Sequence, residues 1–118
     1  MSGHCLLCAI ARGHAGVPLL YEDELAAAFD VPEGHPNKRA PVHVLVVPKE
    51  HIPSARKLEP RHEPMLGRLV TTAARCAKEK GIDQSGYRLI SSTGEDANQT
   101  VLHLHLHCLG GKKLPETS

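Results

Sequence analysis

One nine-residue segment near the end of the chain constrains the fold more than any other feature. Residues 101–109 read Val-Leu-His-Leu-His-Leu-His-Cys-Leu, so histidine alternates with leucine. Because successive side chains of a β-strand point to opposite faces of the sheet, this pattern predicts a strand with one apolar face and one histidine face. The apolar face belongs to a core. Three imidazoles in strict alternation indicate a site that uses them as acids, bases, nucleophiles or metal ligands.

The spacing of the three histidines limits what they do together. A strand rises about 3.3 Å per residue, so the backbones of His103 and His107 lie roughly 13 Å apart. A zinc ion holds nitrogen ligands at about 2.1 Å. One ion therefore cannot take all three side chains of an extended strand, and we expect the histidines to divide between different tasks.

Length and composition restrict the class of protein. The chain has 118 residues and a formal net charge of +1, and it contains nine histidines against two Tyr, one Phe and no Trp. This length predicts a single domain over residues 1–118. The near-neutral charge argues against a nucleic-acid partner. Without an apolar run of about 20 residues or a targeting segment, we expect a cytoplasmic protein with no membrane contact.

Local patterns predict an α+β domain, with a mainly antiparallel five-stranded sheet, one long helix and a short N-terminal helix. Apolar residues recur at helical spacing from Pro64 to Ala77, and Gly81 is placed to end the long helix. The prolines and glycine of residues 31–41 indicate a loop. The short helix is predicted over residues 5–12, and the strands over 19–21, 25–29, 42–47, 87–91 and 101–109.

The pair Cys5-x-x-Cys8 has three interpretations: a redox pair, part of a metal site, or two ordinary buried cysteines. A redox pair is expected after a strand in a βαβ unit, and no strand fits before residue 5. A structural zinc site requires two further ligands. The spacing of the cysteines alone does not decide between these interpretations.

The segment His103-Leu-His105-Leu-His107-Cys-Leu resembles the signature of the histidine triad family, and the resemblance extends over nearly the whole chain. The two glycines that follow the triad, at positions 110 and 111, resemble the sequences of the Hint branch, the nucleoside phosphoramidases. The resemblance implies the histidine triad fold and a homodimer. The other matching segments are Cys5-Leu-Leu-Cys8, Leu20-Tyr21-Glu22-Asp23-Glu24, Pro41-Val-His43-Val-Leu and Gly86-Tyr87-Arg88.

The resemblance also implies a reaction. His105 would attack the α-phosphorus of a purine nucleoside 5′-phosphoramidate or related adenylate, and water would release the monophosphate from a covalent nucleotidyl-histidine. His107 would bind the phosphate oxygens and His43 would complete the cluster. A third histidine at position 107, where related nucleotidyl transferases carry Gln, favours water as the acceptor. The implied nucleotide contacts are Asp30 to the ribose, Gln99, Thr100 and Ser92 to the phosphate and leaving group, and Leu6, Leu7 and Ile10 to the base.

In family members with the two cysteines, the positions of His51 and His103 supply further ligands. The resemblance therefore implies a structural Cys₂His₂ zinc site of Cys5, Cys8, His51 and His103, and no organic cofactor. Two alternatives to the phosphoramidase remain open. One is a nucleotide- or zinc-binding interaction module whose hydrolysis is incidental, and the other is a dinucleoside polyphosphate hydrolase.

The chain departs from the family pattern at the end of the second strand and in the loop that follows. Phe29 and Asp30 are adjacent, where the family usually has one residue between the aromatic and acidic positions. A shift of one residue turns a side chain to the other face of a sheet. The loop of residues 31–41 is also longer than usual. The remaining histidines have no predicted role and are expected to be solvated: His4, His14, His35 and His62.

Overall fold

A computed structural model describes residues 5–116, and His4 lies outside this range. Within it, five strands form one antiparallel sheet in the order β1-β2-β3-β5-β4, which confirms the predicted α+β architecture. No helix among these residues has the length and apolar character needed to cross a membrane. The elements are α1 (Leu6–Ala11), β1 (Tyr21–Glu22), β2 (Ala26–Asp30), β3 (Val42–Pro48), α2 (Glu63–Glu79), β4 (Tyr87–Ile90) and β5 (Leu106–Gly110), with short 3₁₀ helices at Ala55–Lys57, Pro60–His62 and Glu95–Ala97.

The two faces of the sheet carry different layers. Helix α2 covers one face through Leu69, Ala73 and Cys76, which pack with Val44 and Cys108 in the main core. Helix α1 covers part of the other face, where a second apolar cluster forms. Its members are Leu7, Ile10, Ala11, Ala27, Phe29 and Val47. The α1 face therefore has a smaller apolar layer, and the histidines of β3 and β5 share this face.

The turn between β1 and β2 is held by Asp23. Its Oδ1 accepts hydrogen bonds from the backbone N–H groups of Leu25 and Ala26, at 2.8 and 2.9 Å. Its Oδ2 accepts from the Tyr21 hydroxyl at 2.7 Å and from the Arg68 guanidinium on α2. Although burial opposes ionisation, these donors hold the pKa of Asp23 well below its usual range. One carboxylate thus joins the hairpin to the long helix.

The last strand is shorter than predicted. Strand β5 begins at Leu106, so the expected strand over 101–109 is wrong for its first five residues. The β3–β5 ladder ends at the pair Val46↔Leu106, close to Pro48, which has no backbone N–H to extend it. Leu104 N–H instead donates to the Ile52 carbonyl at 2.6 Å, and His103 Nε2 contacts the Pro48 carbonyl at 3.1 Å.

The expected alternation of faces also fails in this segment. Leu104 and Cys108 are buried in the main core, as predicted, but Leu102 is 67% exposed. His103, expected on a histidine face, is fully buried. Outside a ladder the backbone is free to turn, so the period-two pattern no longer decides where a side chain points.

One histidine expected in solvent is buried. His62 closes the 3₁₀ helix before α2, and its Nδ1 accepts a hydrogen bond from the Glu59 backbone N–H at 2.9 Å. His14 and His35 are exposed, as expected. The imidazole of His62 therefore serves to cap a turn.

Candidate functional site

The three predicted catalytic histidines come together on the α1 face. His43 lies on β3 and His107 on β5, and His43 Nε2 is 2.9 Å from His107 Nδ1. His105 immediately precedes β5, and its ring centroid lies 4.9 Å from that of His107 in an edge-to-face arrangement. The register of β3 against β5 pairs Leu45 with His107, which puts both imidazoles of the ladder on one side of the sheet.

The hydrogen bonds of the cluster determine which nitrogen of each ring carries the proton. The backbone N–H of Arg39 donates to His43 Nδ1 at 3.2 Å, so this nitrogen is an acceptor. A neutral His43 therefore carries its proton on Nε2 and donates it to His107 Nδ1. A neutral His107 in turn carries its proton on Nε2. The chain of contacts thus leaves His107 with a free N–H donor.

Both rings are neutral near pH 7. Burial, reinforced by the positive charges of Arg39 and Lys38, lowers the pKa of His43 to about 4. Burial, with charge on His105 as the next cause, lowers the pKa of His107 to about 3. Desolvation disfavours the charged form of an imidazole, so the tautomers derived from the contacts are the forms present at physiological pH.

His105 is oriented differently. Its Nδ1 lies 2.7 Å from the backbone carbonyl of His103, and a carbonyl oxygen only accepts, so Nδ1 carries the proton. In the neutral ring the lone pair is then on Nε2. The cluster therefore combines one imidazole with a free nucleophilic nitrogen and a neighbouring imidazole with a free N–H donor. This pair suits attack on a phosphorus atom whose oxygen is held by the donor.

The remaining predicted ligands form a second group close by. One ligand atom from each of Cys5, Cys8, His51 and His103 lies within 4.8 Å of the others. His103 Nδ1 is 3.2 Å from Cys5 Sγ, 3.3 Å from Cys8 Sγ and 3.2 Å from His51 Nδ1. Around a tetrahedral zinc ion, sulfur and nitrogen ligands lie about 3.3–3.8 Å from one another. These four residues could hold a metal ion of that kind.

The surroundings of His103 also fit a metal ligand. Its Nε2 is bound to the Pro48 carbonyl, so it carries the proton and directs the Nδ1 lone pair into the group. Burial lowers the pKa of His103, and burial together with Cys5 raises that of Cys8 to about 11. His103 belongs to both sites, since its side chain lies in the Cys₂His₂ group and its carbonyl orients His105.

The apolar residues predicted to line the base pocket lie on the same face as the imidazoles. Leu7 and Ile10 are buried on α1 against Phe29 and Val47. Leu6, on the outer side of the helix, is 63% exposed. The structure thus brings α1 to the histidine face, with Leu6 open to solvent.

Asp30 is not brought to the cluster. It is the last residue of β2 and pairs with Val44, whose side chain lies in the main core under α2. Its carboxylate accepts a hydrogen bond from Lys80 Nζ at 2.8 Å, at the end of α2. The expected contact between Asp30 and the ribose therefore does not fit this structure. Because Phe29 occupies the α1 face, the adjacent Asp30 faces the opposite way.

The side-chain amide of Gln99 bonds within its own part of the fold. Its side-chain Oε1 accepts from the Gly94 backbone N–H at 2.9 Å, and its Nε2 donates to the carbonyls of Pro53 and Val101 at 2.8 and 2.9 Å. This amide holds the loop together, and the phosphate contact that the resemblance implies at this position is one of the backbone. The hydroxyls of Ser92 and Thr100 make no hydrogen bond to the rest of residues 5–116, so both are free for a ligand.

Two contacts of the site were not foreseen. The backbone N–H of Arg39 sets the proton position on His43, and the Ser91 hydroxyl donates to the His105 carbonyl at 2.8 Å. Each bond involves one main-chain atom, with Arg39 four residues before His43 and Ser91 fourteen residues before His105. A sequence pattern reports side-chain types and spacing, so it contains no signal for either contact.

Comparison with known proteins gives consistent results. The family model described as "Scavenger mRNA decapping enzyme C-term binding" matches residues 4–116. The purine nucleoside phosphoramidase of Escherichia coli strain K12 is 36% identical over 115 residues, which are 97% of this chain and 92% of that protein. A histidine triad protein from Clostridium difficile is 39% identical with a TM-score of 0.88, covering 97% of this chain and 96% of its own. A HIT family hydrolase from Legionella pneumophila Philadelphia 1 is 31% identical with a TM-score of 0.89, covering 97% and 98%.

Proposed function

Because this chain belongs to the histidine triad (HIT) family, we propose that it is a hydrolase that cleaves purine nucleoside 5′-phosphoramidates or related adenylates to the nucleoside monophosphate. The observation that carries the proposal is the hydrogen bond from His105 Nδ1 to the His103 carbonyl, which frees Nε2 of His105. The phosphoramidase named in Escherichia coli supports the choice of substrate.

The proposed reaction has two halves. In the first, a bond forms between His105 Nε2 and phosphorus, the P–N bond breaks, and the amine leaves with a proton taken from solvent. In the second, water attacks phosphorus, its proton passes to solvent, and the bond to His105 breaks. The Nε2–H of His107 stabilises the charge on a phosphoryl oxygen in both halves. His43 keeps His107 in the donor tautomer.

The other residues of the proposed site bind substrate or position the loop. Leu6, Leu7 and Ile10 contact the base, and the hydroxyls of Ser92 and Thr100 contact the phosphate or the leaving group. Gln99 positions the loop that carries Thr100. Asp30 is omitted because its carboxylate faces α2.

We propose that the group of Cys5, Cys8, His51 and His103 binds structural zinc. Sulfur and imidazole nitrogen are the donors that zinc prefers, and a closed set of four protein ligands is typical of structural sites. Such an ion would join α1 to the segment that follows β3 and to the segment that precedes β5. It takes no part in the proposed reaction. Elemental analysis of protein purified without chelator should give about one zinc per chain.

A cytoplasmic location and a homodimer complete the proposal. The free cysteines at positions 5, 8, 76 and 108 suit a reducing compartment. Light scattering of the purified protein would measure the number of chains in the assembly.

The reaction is tested with His105→Asn. We expect kcat for adenosine 5′-phosphoramidate to fall at least about 10³-fold, because no other group in the cluster presents a free nucleophilic nitrogen. His14→Asn, at an exposed histidine outside the site, is the matched control and should retain full activity. Unchanged turnover in His105→Asn would refute the assignment. Tight binding of a purine monophosphate without turnover of any phosphoramidate would identify a binding module instead, and faster cleavage of diadenosine polyphosphates would identify a polyphosphate hydrolase.

A further inference from the structure

A cleft of about 380 Å³ lies beside the segment that leads to His105. One wall is the 3₁₀ helix Ala55–Lys57, and the other is the loop that contains the 3₁₀ helix Glu95–Ala97. Leu102, three residues before His105, also lines it. The cleft has no part in the base, phosphate or metal contacts described above.

The walls of this cleft are held in a defined arrangement. The Gln99 amide uses its oxygen and both of its N–H groups to join Gly94, Pro53 and Val101, so it connects the two walls to the segment before His105. The hydrogen bond from Leu104 N–H to the Ile52 carbonyl makes a second connection at 2.6 Å. A site with fixed walls binds a small ligand without first ordering its own loops.

Gly94 permits the Arg56 guanidinium to lie against the loop. A Cβ atom built at position 94 would come within 2.6 Å of Arg56 Nη2. Gly94 also has φ of +83°, a conformation that other residues rarely adopt. The absence of a side chain at this position thus leaves room for the guanidinium in the cleft.

The charges of the cleft favour one negative group. Arg56 and Lys57 contribute two positive charges and Glu95 contributes one negative charge, so the lining carries a net charge of +1. Neither Arg56 nor Lys57 forms an ion pair with a carboxylate of residues 5–116. A guanidinium recognises a carboxylate through two parallel hydrogen bonds. A net charge of +1 matches one carboxylate better than a polyphosphate tail.

We infer that this cleft selects leaving groups that carry a carboxylate, so that amino-acid phosphoramidates of a purine nucleoside are preferred substrates. The inference rests on the proposed function and specifies the leaving group of the same reaction. Arg56 is the main specificity-determining residue, with Lys57 as the second cation. Gln99 is a positioning residue, because it holds the walls without facing the ligand.

The experiment compares two substrates that differ only in charge. Adenosine 5′-phosphoramidates are made with glycine, which carries the carboxylate, and with glycinamide, which is neutral and of nearly the same size. We expect wild-type kcat/KM to be about tenfold higher for the glycine compound, the value of one hydrogen bond between charged groups. Arg56→Gln should remove this preference by lowering kcat/KM for the glycine compound about tenfold relative to the glycinamide compound.

Controls separate the outcomes. Lys78→Gln removes one positive charge from the exposed surface of α2, outside the cleft, and should keep the preference. Arg56→Lys should restore part of it, since charge is kept while the bidentate geometry is lost. Equal wild-type rates for the two substrates, or an equal preference in Arg56→Gln, would overturn the inference but leave the proposed hydrolase intact. Hydrolysis of neither substrate would overturn the proposed function, and the inference with it.

Discussion

We expect the free energy of unfolding of the wild-type protein to fall between pH 7 and pH 5 because of His43. Replacing His43 by Gln should prevent this part of the fall. His43 is 2% exposed and its pKa is lowered from about 6.5 to about 4, first by burial and then by the charges of Arg39 and Lys38. A glutamine at this position has an amide oxygen to accept from the Arg39 N–H and an N–H to donate to His107. It keeps the hydrogen-bonding pattern but does not titrate.

The sign follows from which state binds the proton. Below pH 6.5 the imidazole of the unfolded chain takes up a proton, whereas the buried ring of the folded protein stays neutral until the pH approaches 4. Protonation therefore favours the unfolded state as pH falls, and the contribution to stability that is present above pH 6.5 is progressively lost. With these two pKa values, the free energy of unfolding should fall by about 2 kcal/mol more in wild type than in His43→Gln between pH 7 and pH 5.

The measurement is urea unfolding of both proteins at pH 7, 6 and 5, followed by circular dichroism. Only the difference between the two pH profiles is compared, so other titrating groups and any metal-linked stability contribute equally to both proteins. His35→Gln is the matched control, because His35 is exposed and its replacement should leave the wild-type profile unchanged. Parallel profiles for wild type and His43→Gln would refute the argument that His43 is buried in its neutral form.

Three further predictions concern the rest of the chain. Cys8→Ser should lower both the zinc content and the melting temperature, because a hydroxyl is a poor zinc ligand; a variant that retains one zinc per chain would contradict the proposed ligand set. Asp23→Ala should lower the free energy of unfolding by about 2 kcal/mol or more, since it leaves two backbone N–H groups and two side-chain donors without their acceptor; a change below about 0.5 kcal/mol in urea unfolding would contradict this. Asp30→Asn should leave KM for a ribonucleoside substrate within about twofold, because the carboxylate faces α2; a tenfold rise in KM would return Asp30 to the binding site.

The long helix and the core were predictable because local periodicity expresses them directly. Apolar residues recur at helical spacing in 64–77, and α2 spans Glu63–Glu79. The hydrophobic pattern of 42–47 likewise predicts β3, which the structure extends by one residue to Pro48. In both elements the pattern that was read from the sequence is the pattern that packs against the core.

The division of the histidines between two clusters was predictable, but their geometry was less so. The expectation that His103 and His107 serve different sites agrees with the structure, but the reason differs from the one given by strand spacing. His103 leaves the sheet before β5 begins, and its imidazole reaches Cys5 and Cys8. The sequence showed that Phe29 and Asp30 are adjacent. Only the register of β2 against β3 shows that the Asp30 carboxylate lies on the α2 face of the sheet.

By itself the sequence determined the types of side chain available and their local order: a histidine-rich segment before a core strand, a pair of cysteines on a short helix, and one long amphipathic helix. Only the tertiary structure decided that the segment of residues 101–105 lies outside the ladder, which nitrogen of each imidazole carries its proton, and that the Gln99 amide holds a cleft together. These features depend on hydrogen bonds to main-chain and imidazole groups, some of them between residues far apart in the chain. Such partners are chosen by the packing of the whole domain, and local periodicity carries no record of them.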